Sequence, residues 1–133
     1  GSNALAFDCA LWLTVHKNKV VMVTPRPNNE LDLGQSQHAF RFMTSALYTL
    51  GMKLYPESTI KSIGDGVVTI SSKVKGVDID IPATSIVNAA DMVPNKSLLE
   101  GVKVAETYAI GDCENPFNIA KAIQTGNDVG RAI

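Results

Sequence analysis

Residues Thr107 to Ile133 read TYAIGDCENPFNIAKAIQTGNDVGRAI. The apolar run Tyr108-Ala109-Ile110 predicts a short strand, broken at Gly111-Asp112. A few loop residues follow, and Pro116 is expected to open a helix that carries the chain to Ile133. An acid just past a strand, between a glycine and a helix N-terminus, suits a sugar hydroxyl and a phosphate. Glycine lets a ligand approach the backbone, the carboxylate accepts from hydroxyls, and the helix end offers N–H groups and a positive dipole.

Working outward, the 133 residues suit one domain with a core, or a piece of a longer chain. Hydrophobic residues make up 45% and charged residues 19%, which is globular rather than disordered composition. Twelve Lys and Arg against 13 Asp and Glu leave a net charge of −1 with no basic run, which argues against nucleic acid or an anionic membrane as partner. The apolar runs are too short to span a bilayer, and no secretory signal pattern is found. Cys9 and Cys113 lie far apart and outside any C-x-x-C, so a reduced cytoplasmic setting is expected. Gly1-Ser2-Asn3-Ala4 looks like the remnant of a cleaved expression tag. On that reading the chain proper starts at Leu5, inside an apolar pattern with no cap, as a fragment would.

Leu5 to Val15 (LAFDCALWLTV) predicts a helix, apolar almost all round and so buried on more than one side. Lys19 to Thr24 predicts a central parallel strand, stopped by Pro25 and Pro27. Phe40, Met43, Leu47 and Leu50 recur at helical spacing over about Ser36 to Leu50, with Gly51 placed to cap the end. Met52 to Tyr55 is a short strand. Thr59–Ile63 and Val67–Ile70 form a hairpin about Gly64-Asp65-Gly66, and Val77 to Ile81 alternates as a half-exposed strand. Ser85 to Ala89 is a further expected strand. Strands alternating with helices imply an α/β chain: a three-layer, Rossmann-like, mostly parallel sheet with a small β meander as one crossover.

The strand ending Gly111-Asp112-Cys113, followed by Pro116, Ile119, Ala122-Ile123, Gly126 and Ile133, resembles the last FAD-domain segment of the pyridine-nucleotide-disulfide-oxidoreductase-like fold. The likeness is to the C-terminal region of old-yellow-enzyme-type NADH:flavin oxidoreductases, which include 2,4-dienoyl-CoA reductase, 2-enoate reductase and trimethylamine-dehydrogenase-like enzymes. Ala89 to Asn95 with Leu98 resembles that family's crossover from NAD domain to FAD domain, and Ala6 to Leu13 its first Rossmann helix. The resemblance implies a partial NAD(P)-binding unit over residues 5–95 and a terminal FAD-domain strand and helix over 96–133. It implies FAD and NAD(P)H as cofactors of a parent enzyme in which electrons pass from NAD(P)H to FAD. The fragment alone is expected to be inactive, and a non-catalytic ADP-binding or structural module is the alternative.

Departures from the family pattern accompany the likeness. The first nucleotide-binding strand and its G-x-G-x-x-G turn are not found ahead of Leu5, and Asp91 stands where the family has glycine. The second strand ends Thr24-Pro25-Arg26 instead of in an acid, which suits a 2′-phosphate and equally a unit that no longer uses the cofactor. The candidate cofactor residues are therefore Gly111, Asp112, Cys113, Thr24, Pro25 and Arg26. Each has a plainer reading: Asp112 as a helix cap, Cys113 as a small packed residue, Arg26 as a solvated loop arginine. Asp78 and Asp80 read as a solvated strand face, His16 and His38 as surface residues and Trp12 as core. No catalytic constellation of side chains is present. A sheet without its first strand is expected to dimerise, exchange strands or close up its remaining strands.

Overall fold

The computed structural model describes residues 1–31 and 36–133. It is α/β and falls into two compact units, Gly1–Ala90 and Asp91–Ile133.

In the first unit, helix α1 spans Ala4–Val15, with the Asn3 side chain capping its start. Strand β1 is Val21–Val23, α2 is Gln37–Thr49 and β2 is Lys53–Tyr55. Strands β1 and β2 pair in parallel, Met22 opposite Leu54. Helix α2 starts on Ser36, whose hydroxyl accepts the Ala39 N–H. It stops at Gly51, which takes a φ of +89°. There the Gly51 N–H reaches the Tyr48 carbonyl and the Met52 N–H the Leu47 carbonyl, while Leu47 and Met52 both enter the core. That double bond with its apolar clasp is the usual glycine-ended helix stop. Helix α1 ends by the same pattern, with Lys17 instead of glycine at φ +64°, Lys17 N–H bonding Thr14 and Asn18 N–H bonding Leu13.

Strands β3 (Ser58–Gly64), β4 (Val67–Ser72) and β5 (Val77–Pro82) form an antiparallel meander. Alternation divides its residues by chemistry. Val68, Ile70 and Ile81 pack into one core with Val23 and Tyr55 of the parallel pair. The opposite face is polar: Lys61 pairs with Asp78, and the Thr69 hydroxyl donates to Asp80 at 2.7 Å. The second core joins Ala6, Phe7 and Ala10 of α1 to Met22, Leu47 and Met52, with Phe7 set edge-on to Phe40 at 5.5 Å. Neighbouring β1 residues thus serve different cores, as period-two alternation requires.

The sequence expectation departs from this structure in several places. Helix α1 buries one side only, through Ala6, Phe7, Ala10 and Thr14, while Leu5, Trp12 and Val15 are exposed. Trp12 is therefore not core: it is 61% exposed and stacks on His16 with ring centroids 4.1 Å apart. Ser85–Ala89 and Tyr108–Ile110 form no ladder among the described residues. The neighbours of the first segment are Gly1, packed on the Ala89 carbonyl, and Asn3, whose side-chain amide donates to Ala90. These are point contacts, and a strand needs a row of partners. Finally, the sheet structure is one parallel pair and one antiparallel trio, so the expected mostly parallel sheet is not what the described strands make.

In the second unit, 3₁₀ turns at Ser97–Leu99 and Gly111–Cys113 precede helix α3, Ile119–Gly130. The helix begins at Ile119, not at Pro116, because the Asn118 side chain accepts the Lys121 N–H at 2.9 Å. None of residues 91–133 is buried. Leu98 is 90% exposed, Ile119 80% and Ile123 68%, so this unit has no core of its own. The boundary between the units lies between Ala90 and Asp91. No helix among the described residues is long and apolar enough to cross a membrane.

Candidate functional site

The turn at Gly111 is built by its neighbours on α3. Ile110 enters it in extended conformation, and Gly111 takes φ +65°. A Cβ there would make an ordinary contact with the Ala122 Cβ at 3.4 Å, so it is the left-handed conformation that calls for glycine. The Gly111 N–H donates to the Thr125 hydroxyl at 3.0 Å, and that hydroxyl donates back to carbonyls of its own helix. The Gly111 carbonyl accepts from the N–H groups of Glu114 and Asn115. The Gly111 N–H thereby ties the turn to α3, and its carbonyl closes the turn on the following loop.

Asp112 is exposed, with one carboxylate oxygen accepting the Phe117 N–H at 3.3 Å. It therefore braces the loop 112–117 and is not the cap of α3, which is Asn118. Cys113 is half-buried, its thiol directed at the Ile110 carbonyl at 2.9 Å. Lys96 and Glu114 form an ion pair beside the turn. Asn118 and Thr125 add to the residues the sequence singles out. Their signals are an Asn just ahead of an apolar helical run, and a Thr one turn past Lys121 on the face that meets Gly111.

Thr24, Pro25 and Arg26 lie in the other unit, at the end of β1. Thr24 is fully buried: its N–H bonds Tyr55, its carbonyl accepts from Ser58, and its hydroxyl accepts the Arg26 N–H at 3.2 Å. Pro25 is exposed and Arg26 half-buried. Asp78 and Asp80 face water, as their alternation implied, each engaged with a neighbouring side chain. Lys61 holds the Asp78 carboxyl below the ordinary carboxylate range through a hydrogen bond and its charge, and Asp78 raises Lys61 in turn. Among the described residues no group of three or more His, Cys, Asp or Glu could hold a metal.

The shape of the turn decides which ligand groups the residues suit. The Cβ position of Gly111 faces Ala122 of α3, and Asp112 offers an exposed acceptor beside the turn. Such a carboxylate suits the hydroxyl groups of a ligand's sugar portion. The Thr24 hydroxyl is buried and accepts the Arg26 N–H, so one of its acceptor sites is used within its own turn.

No protein-family model matches the chain, and no curated protein matches it. Solved structures do. The whole chain superposes on 20% of 2-naphthoyl-CoA reductase, solved as a complex with 2-naphthoyl-CoA, at 25% identity and a TM-score of 0.83. It also resembles 6-hydroxypseudooxynicotine amine oxidase from Pseudomonas geniculata N1, over 97% of this chain and 20% of that one, at 20% identity and a TM-score of 0.76. A third likeness is to histamine dehydrogenase from Rhizobium sp. 4-9, over 99% of this chain and 22% of that one, at 18% identity and a TM-score of 0.79. The chain thus spans about a fifth of the length of each. All three are oxidoreductases by name. At 20% and 18% identity the last two bear on the fold alone.

Proposed function

We propose that this chain is a segment of a flavin-dependent NAD(P)H oxidoreductase of the old-yellow-enzyme-like kind and works as part of that longer polypeptide. The observation that carries the proposal is the match of the entire chain to one fifth of a CoA-thioester reductase at a TM-score of 0.83. The exposed apolar side chains of residues 91–133 support it, because a unit with no buried residue depends on covering from elsewhere. The remainder of the parent enzyme is the proposed partner, with a second copy of this chain as its substitute when the segment is isolated.

On this reading the helices and the meander flanking the parallel pair are the layers of a Rossmann-like unit, and Asp91–Ile133 carries the closing strand segment and helix of a FAD domain. Gly111, Asp112 and Cys113 line the flavin side. Asp112 accepts from hydroxyls of the sugar or ribityl chain, Gly111 admits the cofactor to the backbone, and Cys113 packs the turn. When bound, FAD supplies the electron transfer; the side chains orient it. The working setting is cytoplasmic.

For the first unit, the family pattern gives NAD(P)H held near Thr24, Pro25 and Arg26 and passing electrons to FAD. The buried, self-bonded Thr24 favours the second reading, a unit that keeps the nucleotide-binding frame for structure, or holds ADP without turnover. Purifying the polypeptide encoded by the whole reading frame tests the proposal. It should carry FAD, visible in its absorbance, and Asp112→Asn should lower the flavin retained after gel filtration. A flavin-free full-length protein overturns the assignment.

A further inference from the structure

The residues ahead of helix α1 are part of the fold. Ser2 is 2% exposed. The Gly1 nitrogen donates to the Val23 carbonyl at 3.1 Å, and a Cβ on Gly1 would overlap the Ala89 carbonyl oxygen. Only glycine fits there, and a disposable tag would not be so confined. Ala6, five residues on, is buried in the core that also holds Phe7 and Met22, and its Cβ would lie 3.2 Å from one on Gly1.

These positions have the spacing of the dinucleotide-binding turn, G-x-G-x-x-G or its alanine-ended form. In that turn the first glycine makes a tight bend, the second lets the pyrophosphate approach the backbone, and the third packs helix on strand. Here the order is Gly1-Ser2-Asn3-Ala4-Leu5-Ala6. The first and third positions keep their packing roles. The second is Asn3, and its side chain is committed on both sides: Oδ1 accepts the Ala6 N–H at 2.9 Å, and Nδ2 donates to the Ala90 carbonyl at 3.3 Å.

We propose that Gly1, Asn3 and Ala6 are the three positions of a diverged dinucleotide-binding turn, in which the Asn3 carboxamide takes the place of the ligand's phosphate and closes the unit to dinucleotides. A phosphate oxygen at a helix start is held by N–H groups of the first turn. In this chain the Ala6 N–H is satisfied internally, and the carboxamide fills the space that the middle glycine leaves open. The ribose end of the same unit agrees independently, since Thr24 is buried with its hydroxyl on the Arg26 N–H. The flanking frame is kept while the ligand's contacts are replaced by the protein's own.

This inference rests on the reading of the chain as part of a flavin oxidoreductase, and its test is separate from that one. The 133-residue chain is titrated calorimetrically with NADPH, NADH and ADP, with the Ala6 amide followed by NMR. The native chain should show no saturable binding. Asn3→Gly should gain at least about tenfold in affinity for one of the three, with the Ala6 amide shifting on addition. Asn3→Ser keeps a capping oxygen and should stay closed. Glycine ranks well above alanine at a helix start, so Asn3→Gly is the primary variant, and Asn3→Ala, which also removes the acceptor, is the second and should gain in the same direction. Saturable binding by the native chain that moves the Ala6 amide overturns the proposal, as does an Asn3→Gly or Asn3→Ala chain that binds no better than native. FAD in the full-length protein reports on the parent assignment whatever Asn3 does.

Discussion

Single backbone positions set much of what this chain can tolerate. Gly111 combines a φ of +65° with an Ala122 Cβ that would stand 3.4 Å away. Gly111→Ala should destabilise the Gly111–α3 turn by about 1–2 kcal/mol, the cost of a Cβ in the left-handed region. Gly101 has no atom within 4 Å of an added Cβ and no left-handed φ, so Gly101→Ala in the same unit should be neutral. Local hydrogen-exchange free energies at Gly111 and α3 distinguish the two. Lys17 presents the reverse case, an L-residue at φ +64° closing helix α1. Lys17→Gly relieves that conformation and should stabilise the first unit by about 1 kcal/mol, read from urea unfolding.

At the scale of elements, the salt link across the meander joins two exposed groups, Lys61 and Asp78. Asp78 is shifted down and Lys61 up. The Asp78 contribution is complete above an ordinary aspartate pKa of 3.8 and is lost as pH falls through its lowered value. The Lys61 contribution is complete below 10.5 and is lost as pH rises through its raised value. The thermal midpoint of the native chain should therefore exceed that of Asp78→Asn by a small constant margin between those limits. The margin should close at either extreme, and also in about 1 M salt, where screening reaches ~3 Å. An unchanged margin in high salt would mean the pair acts by something other than charge. Elements with internal partners were legible in the sequence: α2 with its Gly51 stop, and the hairpin about Asp65-Gly66, follow from local chemistry. Ser85–Ala89 and Tyr108–Ile110 have strand composition but no ladder, because propensity is local and a ladder needs a second strand. The Gly111 turn was legible from its glycine and acid, whereas Asn118 and Thr125 act through the helix partner they meet. Asn3 was hidden because the first four residues look like cloning leftovers when read without Ala6 and Ala89.

For the whole molecule, the two units differ in how much they can hold themselves together. Gly1–Ala90 has two packed cores, built on Phe7 and Leu47 and on Ile70. Asp91–Ile133 has no fully buried residue. Amide exchange of the isolated chain should thus be slow in β1, β4 and the inner turns of α1, and fast throughout α3. In the full-length polypeptide, α3 should become protected along with the rest, and fast exchange there in both would refute the covering argument. Light scattering tests whether isolated chains associate, as the exposed faces of α1 and α3 lead one to expect. The uncovered side of α1 also has a practical use. Trp12 is the chain's sole tryptophan and sits on that side, stacked on His16 and open to water. Its emission colour is therefore a label-free optical gauge of assembly, red in the lone segment and blue once anything closes over the helix.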